Sequence, residues 1–240
     1  MSILDDMVEV PRRSMTLFFL VDKSGSMKGK KIDAVNNAIR NVIPMLAEIS
    51  ETNPDAEIKV AAMEFSGGTE WVYDEPKAAS DFVWQDVSVE WTGTSLGKVC
   101  LELNSKLSRN GYMKTASGAY APAIMLLSDG EPTDEFEDGL EVLKGNSWFK
   151  AAIKIAIAIG EDADQEKLAM FTGSRESVFT VHNIDALKKM IRLVAITSSQ
   201  IGSKSSTAGE TTKQEQVIKE VSETTNEDPD CSTDNYDDWN

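Results

Sequence analysis

The feature that most constrains this chain is an apolar run that stops at a carboxylate. Leu17-Phe18-Phe19-Leu20-Val21 leads straight into Asp22, and Ser24 and Ser26 follow on either side of Gly25. A short continuous apolar run bounded by a turn reads as a strand covered on both faces. Such a strand belongs inside a sheet with helices packed above and below it. Its carboxyl end is then the rim at which open α/β sheets hold ligands, and the oxygens of Asp22, Ser24 and Ser26 cluster there. Hard divalent cations, Mg²⁺ above all, favour such donors.

The rest of the pattern agrees with that sheet. The first strand covers about Met15–Val21. Ile32, Val35, Ala38, Ile39, Val42, Ile43, Leu46 and Ile49 recur at helical spacing and predict a helix from Lys30 to Ser50. Asn53-Pro54-Asp55 ends it. Ile58–Phe65 is a second strand, Gly67-Gly68 turns the chain, and Thr69–Tyr73 returns as an antiparallel edge strand. The polar loop Trp91–Gly97 precedes a helix over about Ser95–Ser108. Tyr120–Leu127 is a further apolar strand whose following loop again holds a carboxylate, Asp129. A helix over Phe136–Leu143, a strand over Phe149–Ile159, a helix over Gln165–Phe171, a strand over Val178–Val181 and a helix over Ile184–Gln200 complete the alternation. The expected fold class is α/β, with a mostly parallel central sheet, one antiparallel edge strand and helices on both faces.

Charge and cysteine usage narrow the function classes. The 240 residues carry a formal net charge of −16, which argues against nucleic acid and for a divalent cation or a basic protein surface as partner. No apolar run approaches the ~18 residues of a membrane helix, and residues 1–13 lack the apolar segment of a signal peptide. Cys100 and Cys231 form neither a disulfide framework nor a metal-ligand spacing, so reduced thiols in a cytoplasm are expected. The domain organisation reads as a polar lead over 1–13, one folded domain over 14–202 and an acidic tail over 203–240. That tail holds ten acids against three lysines and few apolar residues, so it is expected to stay disordered, with at most a transient helix over Gln214–Val221. Its acids are candidates to compete for the rim or to engage a basic partner.

Three separated loops converge on the predicted rim: Asp22-Lys23-Ser24-Gly25-Ser26, the loop with Thr94, and the loop with Asp129. Together they offer two carboxylates and three hydroxyls. Two carboxylates neutralise a divalent cation, and hydroxyls complete coordination without adding charge. Mg²⁺ is the expected ion, with Mn²⁺ or Ca²⁺ as alternatives, and an open coordination position would accept an Asp or Glu from a protein partner.

The order and identity of these residues resemble the von Willebrand factor type A (vWA) domain and its metal-ion-dependent adhesion site (MIDAS). The D-x-S-x-S element is matched by Asp22, Ser24 and Ser26, the threonine by Thr94 in Gly93-Thr94-Ser95-Leu96-Gly97, and the final aspartate by Asp129 in Leu126-Leu127-Ser128-Asp129-Gly130. The resemblance spans about residues 14–200. It implies a Rossmann-like fold and a non-enzymatic, metal-dependent protein-binding module. In it Ser24, Ser26 and Thr94 coordinate directly, and Asp22 and Asp129 coordinate directly or through water. Gly93–Gly97 and Ser128-Asp129-Gly130-Glu131-Pro132-Thr133-Asp134 look most like the small cytoplasmic vWA proteins of bacterial tellurium-resistance clusters. That likeness implies a stress response with a kinase or a phosphatase as partner.

Competing readings exist for most of these residues. Gly93-Thr94-Ser95-Leu96-Gly97 also fits a nucleophile elbow, and Asp129 and His182 follow in the order of an α/β-hydrolase triad. The weak, alternating segment Val87–Trp91 before it and the absence of an oxyanion segment speak against this serine hydrolase. A haloacid dehalogenase nucleophile at Asp22 would need a second acid where Ser24 stands. Ser95 is read as a helix cap, and Glu131 and Asp134 as acids favouring the start of the next helix. Lys23, Lys28, Lys30 and Lys31 are read as a solvated face, and Trp71, Trp84, Trp91 and Trp148 as packing residues.

Overall fold

In the computed structural model, residues 12–114, 118–129, 131–160, 163–204 and 211–227 are described. Residues 1–11 of the lead expected over 1–13, Cys231 and the last stretch of the tail, 228–240, lie outside them. Strand β1 (Arg13–Asp22) is the backbone of the molecule. It pairs in parallel with β2 (Ala56–Phe65) on one side and with β5 (Ala123–Ser128) on the other. The sheet continues in parallel through β6 (Ile153–Ile159) to β7 (Val178–Val181). At the other edge β3 (Thr69–Trp71) and β4 (Lys77–Ala78) pair antiparallel with β2, so the predicted edge strand is joined by a second short piece. The fold is the mixed, mostly parallel α/β sheet that the sequence predicts.

Alternation along β1 divides the core, because successive side chains of a strand point to opposite faces. Leu17, Phe19 and Val21 pack with α1 (Lys30–Thr52) and α6 (Ile184–Gly202), whereas Phe18 and Leu20 pack with α2 (Leu96–Lys106), α3 (Phe136–Lys144) and α5 (Gln165–Thr172). All five side chains are at most 1 % exposed. The predicted helical stripe of α1 is the buried one, from Ile32 to Leu46. Among the described residues no helix is long and apolar enough to cross a membrane.

Two expectations are corrected. The strand predicted from Phe149 starts four residues later. Ser147–Ala151 is instead a short helix, α4, because Asn146 caps it by accepting the backbone N–H groups of Trp148 and Phe149. The tail is not uniformly solvated either. Lys213–Glu227 forms helix α7, which packs along α6 and β6, with Val217 and Val221 fully buried. Val217 and Val221 stand four apart on one helical face, which is enough to add a strip to the core although the surrounding composition is polar. Lys213 fastens the start of this helix by donating to the Gly202 carbonyl at the end of α6. Each of the substitutions Val217→Ala and Val221→Ala should therefore lower stability by about 1.5–2 kcal/mol in urea unfolding. A solvated tail would leave the unfolding midpoint unchanged.

Candidate metal centre

The polar loops meet at one end of the sheet because β1 and β5 are parallel neighbours in register, Val21 lying opposite Leu127. Asp22 and Ser128 therefore leave the sheet side by side. Asp22 is wholly buried. Its Oδ1 accepts the Ser24 backbone N–H at 2.8 Å, an Asx-type turn that curls the chain over the carboxylate. Its Oδ2 accepts the Ser128 hydroxyl at 2.6 Å. The 3₁₀ turn Gly25–Met27 brings the Ser24 and Ser26 hydroxyls within 3.0 Å of one another. Ser26 then donates to Asp129 Oδ1 at 2.7 Å, closing a contact across 103 positions of sequence.

Burial pushes the Asp22 carboxyl up to about 6, against the hydrogen bonds of Ser128 and Ser24 that pull it down, and the nearby Asp129 adds to the rise. A carboxylate held in so dry a place gains most from an adjacent cation. Among the described residues, the groups gathered here are the carboxylates of Asp22 and Asp129 and the hydroxyls of Ser24, Ser26 and Ser128, with no imidazole or thiolate. Among the described residues no group of three His, Cys, Asp or Glu side chains is placed to hold a metal. The set thus fits a hard cation bound through hydroxyl and carboxylate oxygens rather than a carboxylate cage.

Thr94 is buried on the adjoining loop, which is pinned from two sides. Its backbone N–H donates to Thr133 Oγ1 and its carbonyl accepts the Thr133 N–H, both at 2.9 Å. The next residue, Ser95, donates its N–H to the Ser66 carbonyl beyond β2. The Ser95 side chain does not cap α2, contrary to expectation. Asp134 does so from a distance, its two oxygens accepting the N–H groups of Gly97 and Lys98 at 2.9 and 3.0 Å. Asp134 was expected to serve the helix that follows it, α3. No sequence spacing pairs 133–134 with 94–98, because that pairing exists only once β5 has placed the two loops together.

Lys28 and Lys30 are exposed, as expected, whereas Lys23, Lys31 and one tryptophan depart from expectation. Lys23 is 7 % exposed and forms ion pairs with Glu90 at 2.9 Å and Glu64 at 3.2 Å, so it locks the loop rather than facing solvent. The Lys23 ammonium, and after it the Ser66 hydroxyl, hold the Glu90 carboxyl below its ordinary range. Lys31 reaches Asp129 Oδ2 at 2.5 Å. Trp91, expected to pack in the core or at an edge, is 72 % exposed. Its ring lies so close over Gly25 that a Cβ there would sit 2.3 Å from it. The Lys28 ammonium lies 5.6 Å from the centre of the same ring. The segment before Trp91 is held by Asn36 of α1, which donates to the Val87 carbonyl and accepts from Val87 N–H and the Trp84 indole.

The hydrolase constellation is not assembled. Ser95 is tied to the end of β2, whereas His182 follows β7, four strands away and hence roughly 19 Å across the sheet. Asp129 instead serves Ser26 and Lys31. Cys100 is a buried thiol whose ionisation burial pushes up to about 12, so it is inert packing.

Comparison with known proteins agrees with this fold. The family model described as von Willebrand factor type A domain matches residues 16–193. Inter alpha-trypsin inhibitor heavy chain 4 of Mus musculus is 27% identical over 130 residues, covering 52% of this chain but only 13% of that protein. Among solved structures, the von Willebrand factor type A protein of Catenulispora acidiphila is similar with a TM-score of 0.58 and 19% identity, over 78% of this chain and 43% of its own. The proximal thread matrix protein 1 of the mussel byssus, with a zinc-occupied MIDAS motif, matches with a TM-score of 0.56 and 14% identity, over 76% of this chain and 47% of its own. The chain thus spans less than half the length of each of these proteins, and at such identities the structural likeness concerns the fold.

Proposed function

The chain belongs to the von Willebrand factor type A family, and from this premise we propose that it is a protein-interaction module that grips a partner's carboxylate through a divalent cation. Domains of this family generally bind partners rather than catalyse. The observation that carries the reading is the contact of Ser26 with Asp129 at 2.7 Å, which joins two loops distant in sequence into one oxygen-lined site. Ser24, Ser26 and Thr94 are the direct ligands in this proposal, and Asp22 and Asp129 supply the compensating charge, directly or through water. The mussel protein carries zinc at its MIDAS. An all-oxygen donor set without histidine or cysteine favours Mg²⁺ instead, with Mn²⁺ or Ca²⁺ as substitutes.

Two features of the rim support this choice of partner. Lys28 and the exposed face of Trp91 flank the site in a chain whose net charge is −16. A protein segment offering Asp or Glu beside an apolar side chain would satisfy the ion, the lysine and the indole together. The proposed setting is the one implied by the likeness to tellurium-resistance vWA proteins: a bacterial cytoplasm under stress, with a kinase or a phosphatase as partner.

Immobilised protein incubated with a cell extract tests this. A specific partner should be retained with Mg²⁺ and released by chelator, and Asp22→Ala should fail to retain it. Trp91→Ala should weaken retention about 10-fold or more while leaving the unfolding midpoint in place, because an exposed aromatic anchor contributes to binding and not to the core. Retention that ignores chelator would exclude the module.

A further inference from the structure

The four carboxylate oxygens of the candidate centre are not equivalent. Asp22 accepts from the Ser24 N–H and the Ser128 hydroxyl, and Asp129 Oδ1 accepts from the Ser26 hydroxyl; all three donors are neutral. Among the contacts described, the charged one is at Asp129 Oδ2, which meets the Lys31 ammonium at 2.5 Å. The Asp129 side chain is 1% exposed and that of Lys31 16%, so this pair is largely removed from water. Its position is also odd for a lysine. Lys31 lies in the first turn of α1, where the helix dipole disfavours a positive charge. The contact with Asp129 offsets that cost.

We propose that Lys31 is an internal counterion of the metal centre, and that a divalent ion binds by displacing its ammonium from Asp129. The inference rests on the metal-binding reading above. An ion held by Asp129 and an ammonium on the same carboxylate repel at such separation, and one must give way. Lys31 therefore sets how tightly the centre holds its ion. Once displaced, it stands at the rim as a further positive charge facing the partner's carboxylate. Ion loading and partner capture are thereby coupled through one side chain, and the coupling acts equally in both directions.

Calorimetric titration of the full chain with Mn²⁺, in the wild type, Lys31→Met and Lys28→Met, tests the proposal. Methionine keeps the length of the stem and suits a helix. Lys31→Met should bind Mn²⁺ about 10-fold more tightly or better, the scale of a charged hydrogen bond released. Lys28→Met, the same charge change on the rim without the contact, should shift affinity less than about 3-fold. Acetylation of Lys31 by an amine-reactive ester should also quicken when Mn²⁺ is added to the wild type, as the ammonium is set free. Equal affinities of the two variants, or a loss in Lys31→Met, would overturn the inference while wild-type binding still upheld the metal centre. Absence of Mn²⁺ binding in all three proteins would overturn the metal centre, and the inference with it.

Discussion

Asp129→Ala should abolish divalent-ion binding. In the proposed centre this carboxylate is one of two that compensate the cation, and it ties the first loop to the third, through Ser26 at 2.7 Å. Changes in outer partners of metal ligands already cost 10–100-fold in affinity, so removing a carboxylate from the site itself should cost about 100-fold or more. The variant also leaves Lys31 without its partner. Asp129→Asn separates the two effects: it keeps the shape and a hydrogen-bond acceptor for Ser26 but lowers the compensating charge. Titration with Mn²⁺ should show Asp129→Ala silent and Asp129→Asn weakened. Unchanged affinity in Asp129→Ala would remove Asp129 from the site.

Gly139→Val should unfold the rim from beneath. Helices α2 and α3 cross with their backbones in contact, and Gly97 and Gly139 face each other there. A Cβ on Gly139 would lie 2.4 Å from the Gly97 carbonyl oxygen, and one on Gly97 2.6 Å from that of Glu135. These neighbours are backbone, so they cannot swing aside, and the helices must separate. Overpacking of this kind costs about 1–3 kcal/mol and at times more. The same crossing carries the Asp134 cap on Gly97 and Lys98 and the Thr94–Thr133 pairing, so the Thr94 loop should shift with it. Urea unfolding should place Gly139→Val at least about 2 kcal/mol below the wild type, with weaker Mn²⁺ binding. Gly68→Ala, where a Cβ would meet nothing within 4 Å, is the control. Matching midpoints for the two variants would show that the close approach carries no load.

The sequence by itself determined the buried parallel strand, the α/β class and the three polar loops that share a rim. Each follows from a local signal: an unbroken apolar run over 17–21, a helical stripe over 32–49, and a carboxylate just past a strand end. Periodicity also carried the α1 stripe and the position of β7 with little error. It misjudged 149–152 and 213–227, where a cap from Asn146 and two buried valines decide against the local composition.

Tertiary structure alone decided which side chains complete the site. Ser128 holds Asp22, Asp134 caps a helix that precedes it in the chain, Lys23 is buried among glutamates, and Lys31 neutralises Asp129. It alone set Trp91 on the surface over Gly25 and drew Ser95 and His182 to different parts of the sheet. The physical reason is common to all of these. Composition and spacing report which face of an element avoids water, but a charge or hydroxyl acquires its role from what the sheet order places within 3 Å of it.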